Sequence, residues 1–450
     1  MIKEHHEHKI TIEEVEDAIN EVYLLIDPGI IRIILATVLA NRLGMSDKPV
    51  WLLILAGSSA GKSALLDIVI KCGKWIHPID TLTTNTFASG LRGGETETSL
   101  LHKANKGVLV FKDFTTLTSM NEEGLRDIMG QMRAIYDGSF NKKTGNNVDI
   151  DWKGKIGIIA GGTRAAAQKM RQFSEQGERF INYNIDVADS KEMAIRAMKN
   201  VKDMKSKEEG LRDIVAEFIN YKLSSVSADE LVVPEKIILK MIDIADFATQ
   251  ARSPVTMDKK DPTMVAFVGD REQPSRMAIQ YANLALALMI LCGEKELSEK
   301  NAQIIYKSAL DSIPVERRMV LSVLAKYREG STKAIAQKLH YSTYIVRGWC
   351  NQLDALKLLT RSSVNSKDVW YLNDDLKGLI CEYDGIEQVD EVMIESETED
   401  LEYGSAYIEE EQAYDNSLYK IDDDDFNSFV APTQVPLIDI PDPTDTPEKE

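Results

Sequence analysis

The sequence predicts an α/β fold: a parallel sheet between helices carrying a phosphate-gripping loop, then a helical region, a small winged helix-turn-helix and a disordered acidic tail. Three observations predict it. Residues 52–63 read LLILAGSSAGKS, an apolar run that stops at small residues and ends in Gly-Lys-Ser. Further wholly apolar runs of strand length follow, separated by helical patterns, as buried parallel strands are. The net charge of −19 is unevenly spread: residues 381–450 hold 23 acidic and 2 basic residues, so residues 1–380 are near neutral.

The 450 residues leave room for two or three domains, and 44% hydrophobic residues support a sizeable core. A near-neutral body does not exclude nucleic-acid binding, because local patches decide that. Cys72, Cys292, Cys350 and Cys381 are far apart, have no zinc spacing and read as reduced thiols. No signal-peptide pattern opens the chain, and no apolar run reaches the ~20 residues of a membrane helix. A cytoplasmic protein without a membrane partner is expected. His5, His6 and His8 lie in a polar leader and read as leader rather than as a metal site.

In chain order, residues 1–49 form N-terminal helices. Thr11 with Glu14 three residues on caps a helix over 11–26, and Asp27-Pro28-Gly29 breaks it. A buried helix over 30–43 closes at Gly44. Residues 50–189 form the nucleotide core, whose first strand, 50–55, runs into AGSSAGKS. Ala56, Gly57, Ser58, Ser59, Ala60 and Gly61 let backbone N–H groups curl round a phosphate. Lys62 supplies charge for the β- and γ-phosphates, the Ser63 hydroxyl suits Mg²⁺, and Ala64 opens the following helix over 64–71. ATP and Mg²⁺ are the expected ligands.

A second strand, 107–111, ends in Lys112-Asp113. An acidic residue at that place holds Mg²⁺ through water or polarises the attacking water. A helix spans 124–136, and 140–152 read as a hairpin with Lys142 and Lys143 near its tip. A third strand, 155–160, ends in Gly161-Gly162-Thr163, where Thr163 either faces the γ-phosphate or caps the next helix. Gly177-Glu178-Arg179-Phe180 precedes a fourth strand, 181–185, and Arg179 is either a surface ion pair or an arginine finger.

Residues 190–300 are expected as a helical lid, patterned as charged helix from 190 to 260. The apolar helix over 274–291 carries Arg276 near its start, where a cation gains nothing from the helix dipole and is there to meet an anion. Residues 313–375 read as helix (315–327), helix (331–339), helix (343–356) and two short strands (358–361 and 369–372), a winged helix-turn-helix. Its third helix would present Tyr344, Arg347 and Asn351 to a DNA groove, with Arg361 and Lys367 of the wing on phosphates. A winged helix used only for protein contacts is the alternative. Residues 382–450 are too acidic to fold; they are a solvated tail, a DNA mimic or a docking peptide for a protein partner.

The order of parts resembles the minichromosome-maintenance helicases and their relatives in the AAA+ superfamily, over roughly residues 50–292. LLHKANKGVLVFKDFTTL resembles their second nucleotide motif, residues 158–163 their sensor-1 strand, and Gly177 to Phe180 their Arg-Phe box, whose Arg acts in trans. Residues 247–252 and 274–291 resemble the lid helices, with Arg276 as the sensor-2 residue. The hairpin bearing Lys142 and Lys143 falls where that family translocates DNA. The resemblance implies an AAA+ P-loop ATPase that forms a homo-oligomeric ring, a hexamer, and works on DNA. Lys62, Asp113, Thr163, Arg179 and Arg276 are its implied catalytic set. Relatives in phages and mobile elements often carry a C-terminal winged helix, which points to DNA replication in such an element. The chain departs from the family in having Lys112 for an acidic residue and Thr163 for the sensor Asn, and no room precedes residue 50 for the N-terminal DNA-binding domain. The Lys112 departure favours a rival reading, an ATP-switched DNA-binding regulator with little helicase activity. A protein-remodelling machine ranks lower, because the hairpin offers lysines rather than an aromatic tip.

Overall fold

The computed structural model describes residues 10–393 apart from 25–26, 58–60, 84–85, 88–99, 144–148, 173–177, 186–189, 227–230, 328, 365–366 and 390–391. The described residues fall in one compact unit. Two helices lead, α1 (Ile12–Val22) and α2 (Gly29–Leu43). The expected capping box is present: Glu14 N–H donates to Thr11 Oγ1 at 3.2 Å and Thr11 N–H donates to Glu14 Oε2 at 2.8 Å. α1 stops at Val22, short of the expected end at residue 26. α2 is buried almost all round, and Gly44 ends it at φ +67°.

The core follows as β1 (Trp51–Leu55), α3 (Lys62–Asp67), β2 (Ile76–Ile79), α4 (Leu100–Lys103), β3 (Val108–Phe111), α5 (Glu122–Asp137), β4 (Ser139–Lys143), β5 (Asp149–Lys153), β6 (Gly157–Gly162), α6 (Arg164–Gln172) and β7 (Ile181–Asn184). Five of these strands make one parallel sheet in the order β2-β3-β6-β1-β7. The α/β class is therefore as expected. β1 is apolar throughout because both of its faces are covered. Leu52 and Ile54 pack with α2 and the later helices on one face, and Trp51, Leu53 and Leu55 with α5 on the other. β4 and β5 form the expected antiparallel hairpin, with buried Phe140 opposite Trp152 at its base. β2 carries no strand pattern in the sequence because His77 and Pro78 interrupt it. It lies at the sheet edge and pairs with β3 alone, which is where a strand tolerates proline.

The next stretch contains α7 (Ser190–Asn200), α8 (Met204–Ser224), α9 (Glu235–Ala251), β8 (Val255–Met257), β9 (Val265–Val268), α10 (Ser275–Cys292) and α11 (Glu299–Asp311). The β8–β9 hairpin corrects the expectation of helix up to residue 260. Among the described residues, α10 is the one helix long and apolar enough to cross a membrane. It packs against α2, with Met277, Tyr281, Leu284 and Leu288 buried.

The C-terminal elements are α12 (Val315–Lys326), β10 (Glu329–Ser331), α13 (Thr332–Leu339), α14 (Thr343–Ala355), β11 (Leu359–Val364), β12 (Lys367–Leu372), α15 (Asp374–Asp384) and β13 (Val392–Met393). The three expected helices and two strands are present. β10 adds to β12, and β13 adds in parallel to β10. Structure thus runs to residue 393, beyond the expected boundary at 382. Met393 is the physical reason: its methyl group packs where a side chain on Gly330 would stand. Residues 394–450, which carry the expected acidic tail, lie outside the described residues.

Candidate nucleotide site

The loop after β1 sits at the C-terminal edge of the sheet, where ligands of open α/β sheets bind. Ser58, Ser59 and Ala60 lie outside the described residues. Gly61 takes φ +77°, a conformation that favours glycine, and α3 begins at the next residue. Lys62 Nζ donates to the carbonyls of Ala56 (3.0 Å) and Gly57 (2.6 Å). Burial lowers its pKa, and the charge of Asp113 opposes that shift. Ser63 is exposed on the first turn of α3, with Ala64 half-buried beside it.

β6 lies between β1 and β3, so Thr163 and Asp113 stand on the same edge as the loop. Gly161 makes this closeness possible. A Cβ there would fall 2.9 Å from the Lys112 carbonyl and 3.6 Å from Lys62 Cβ. Asp113 is exposed, and its Oδ1 accepts from Thr115 N–H at 2.8 Å, capping a 3₁₀ turn over Phe114–Ser119. Thr163 is a helix cap: its Oγ1 accepts from Ala166 N–H at 3.2 Å. Its own proton is not used in that bond. Lys112 Nζ is held 2.8 Å from Asp67 Oδ1, one helical turn beyond Ser63 on α3. Among the described residues no group of three metal-ligating side chains is preassembled. Ser63 and Asp113 are hard oxygen donors on one edge, a set that fits Mg²⁺ completed by phosphate and water oxygens.

Arg179 and Arg276 stand together at the opposite edge. Ile181 pairs with Leu52, near the start of β1, whereas Gly57 follows its end. At ~3.3 Å per residue, Arg179 and the loop are roughly 20 Å apart along the strands. Arg179 is 9% exposed. Burial lowers its pKa, the nearby charge of Arg276 adds to that, and Asp137, 3.7 Å away, opposes it. Arg276 Nη1 reaches the Glu178 carbonyl at 3.3 Å and Glu272 Oε1 at 3.4 Å.

No protein-family model matches the chain, and no curated protein gives a significant match.

The expected DNA-contacting residues are dispersed. Lys142 is half-buried on β4, opposite Ile150. The side chains of Lys143 and Lys367 lie outside the described residues. Arg361 is engaged within its own hairpin. Its Nε donates to Asp368 Oδ1 at 2.8 Å, and its guanidinium lies 5.7 Å from the Trp370 ring centre. On α14, Tyr344 and Arg347 are exposed, but the same stripe continues under the β8–β9 turn. Asn351 Nδ2 donates to the Thr263 carbonyl at 2.7 Å, and a Cβ on Gly348 would meet the Pro262 carbonyl at 3.2 Å. Asp261 sits close enough for the Arg347 charge to lower its pKa, after the larger effect of its hydrogen bonds from Thr263. A sequence signal for this cover exists in Gly348, because glycine inside a helix costs stability unless a neighbour needs the space.

Proposed function

We propose that the chain is an AAA+ P-loop ATPase of the minichromosome-maintenance type, acting in the cytoplasm as a ring-forming DNA helicase or translocase in the replication of a phage or mobile element. One observation carries the reading. The phosphate-binding groups and the two arginines lie on opposite edges of one sheet, so each subunit holds two half-sites. A closed ring, a hexamer in the family, completes every site between neighbours.

At such a junction Lys62 meets the β- and γ-phosphates, and Asp113 orients the attacking water. Thr163 donates its hydroxyl proton to the water or to a phosphate oxygen. Arg179 and Arg276 of the adjoining subunit meet the charge that develops on the transferred group. Bound Mg²⁺, held by Ser63 and Asp113, would neutralise phosphate charge. These contributions are positioning and electrostatics, so losing one costs orders of magnitude in rate. The β4–β5 hairpin, with Lys142 and Lys143, would follow a DNA strand through the ring. The three helices and two strands over 315–372 are read as a winged helix that holds or selects DNA, and the tail as a site for a protein partner.

The experiment is the ATPase rate with and without single-stranded DNA, wild type beside Lys62→Ala and Asp113→Asn. DNA stimulation that both variants lose, roughly 100-fold or more, is the expected result. Stimulated turnover surviving Asp113→Asn would overturn the assignment of the second motif. A regulator that uses ATP as an assembly switch is the second reading. Lys112, paired with Asp67 where the family has a carboxylate, favours it. ATP-dependent DNA binding without stimulated hydrolysis or unwinding would select it.

A further inference from the structure

Residues 178–180, which carry Arg179 into β7, have no regular secondary structure of their own. Their three consecutive carbonyls are nevertheless all taken, each by a side chain from the α9–α10 region. Arg252 Nη2 donates to the Glu178 carbonyl and its Nη1 to the Phe180 carbonyl, both at 3.4 Å, straddling Arg179. Gln280 Nε2 donates to the Arg179 carbonyl at 3.1 Å, while its Oε1 accepts from Trp51 N–H at 3.0 Å. Arg276 adds its own contact to Glu178. Glu272 fixes the clamp by accepting from Arg252 Nε at 2.9 Å and Nη2 at 2.7 Å. The Arg252 and Glu272 side chains are 4% and 9% exposed. A bidentate pair withdrawn from water in this way is stiff and geometrically specific. The turn bearing Arg252 is gripped from its far side as well. Arg317 Nη1 donates to the carbonyls of Ala251 and Ser253, both at 2.8 Å.

We propose that Arg252, Glu272 and Gln280 are positioning residues that aim Arg179 at the neighbouring subunit's nucleotide. This rests on the reading of Arg179 as the group that enters that site. A finger contributes only when delivered to the transferring phosphoryl group in a fixed geometry, and a displacement near 1 Å costs roughly 100-fold. Carbonyls satisfied by side chains rather than by a strand ladder hold 178–180 where α9 and α10 put them. The position of Arg179 is thereby slaved to these two helices.

The test uses the full chain with two conservative changes. Arg252→Lys keeps the charge and loses the paired donors. Gln280→Glu keeps the acceptor for Trp51 and loses the donor to Arg179. Each is expected to lower kcat roughly 10- to 100-fold, with KM and binding of a fluorescent ATP analogue unchanged, because the variant's own loop is intact. Mixing then separates aim from folding. Added Lys62→Ala subunits bring a sound Arg179 and should restore turnover at the variant's loop, whereas added Arg179→Ala subunits should not. Wild-type rates in both variants, or no difference between the two mixtures, would overturn the proposal. If Arg179→Ala itself hydrolyses ATP normally, the finger reading fails instead. If Arg179→Ala is dead and rescued by Lys62→Ala while both clamp variants are normal, only the clamp fails.

Discussion

Lys62 is the residue at which charge, burial and the proposed ligand meet. Its ammonium is drawn into the loop by two carbonyls, and burial lowers its pKa against the pull of Asp113. The sign of the consequence follows. The lysine is charged below its pKa, and phosphate binding needs that charge. Nucleotide affinity should therefore be full at neutral pH and weaken as pH rises through a value below the usual lysine range of about 10.4. Titrating a fluorescent ATP analogue at increasing pH measures this. Lys62→Arg, whose charge persists, should remove the alkaline loss even if its affinity is lower. An alkaline loss that persists in Lys62→Arg would assign it to another group. The partner of Lys112, Asp67, was invisible to motif reading, because that pairing depends on α3 packing against β6, the neighbour of β3 in the sheet.

At the scale of elements, the insertion of β6 between β1 and β3 gathers the site. The strands were legible because each is an apolar run ending in small or polar residues. The closeness of their ends depends on Gly161, where a Cβ would fall 2.9 Å from the Lys112 carbonyl and 3.1 Å from Leu66 Cδ1. Gly162 is a built-in control, since a Cβ there would make ordinary contacts of 3.6–3.8 Å with Leu53, Leu55 and Phe114. Gly161→Ala should cost about 1–3 kcal/mol in urea unfolding and reduce nucleotide binding. Gly162→Ala should leave both near wild type. Equal effects would mean that the close approach at Gly161 does not matter. The helices were mostly legible from periodicity and from caps and breakers such as Thr11 and Gly44. The β8–β9 hairpin was not, because its strands are three and four residues long, partly exposed, and separated by a charged turn.

Across the whole molecule, that same hairpin reaches the face of α14 that the winged-helix reading sends to DNA. Its turn closes over Gly348 and occupies Asn351. Replacing residues 258–264 with a Gly-Ser linker should uncover the stripe and strengthen duplex binding, measured by fluorescence anisotropy at several salt concentrations. Unchanged affinity and salt slope would move the DNA contact away from α14.

The sequence by itself determined four of the five sheet strands, the small-residue turn ending in Gly-Lys-Ser, most of the longer helices and the three-helix C-terminal pattern. These are written in neighbouring residues, through periodicity, turn chemistry and burial. Only the tertiary structure decided that Arg179 and Arg276 share the edge opposite Lys62. The tertiary structure also decided that Arg252, Glu272 and Gln280 grip the carbonyls beside Arg179, that Asp67 holds Lys112, and that residues 262–263 cover α14. Each of these joins residues distant in the chain. Local periodicity carries no information about which side chain will reach a given buried carbonyl or charge; the strand order and helix packing settle that.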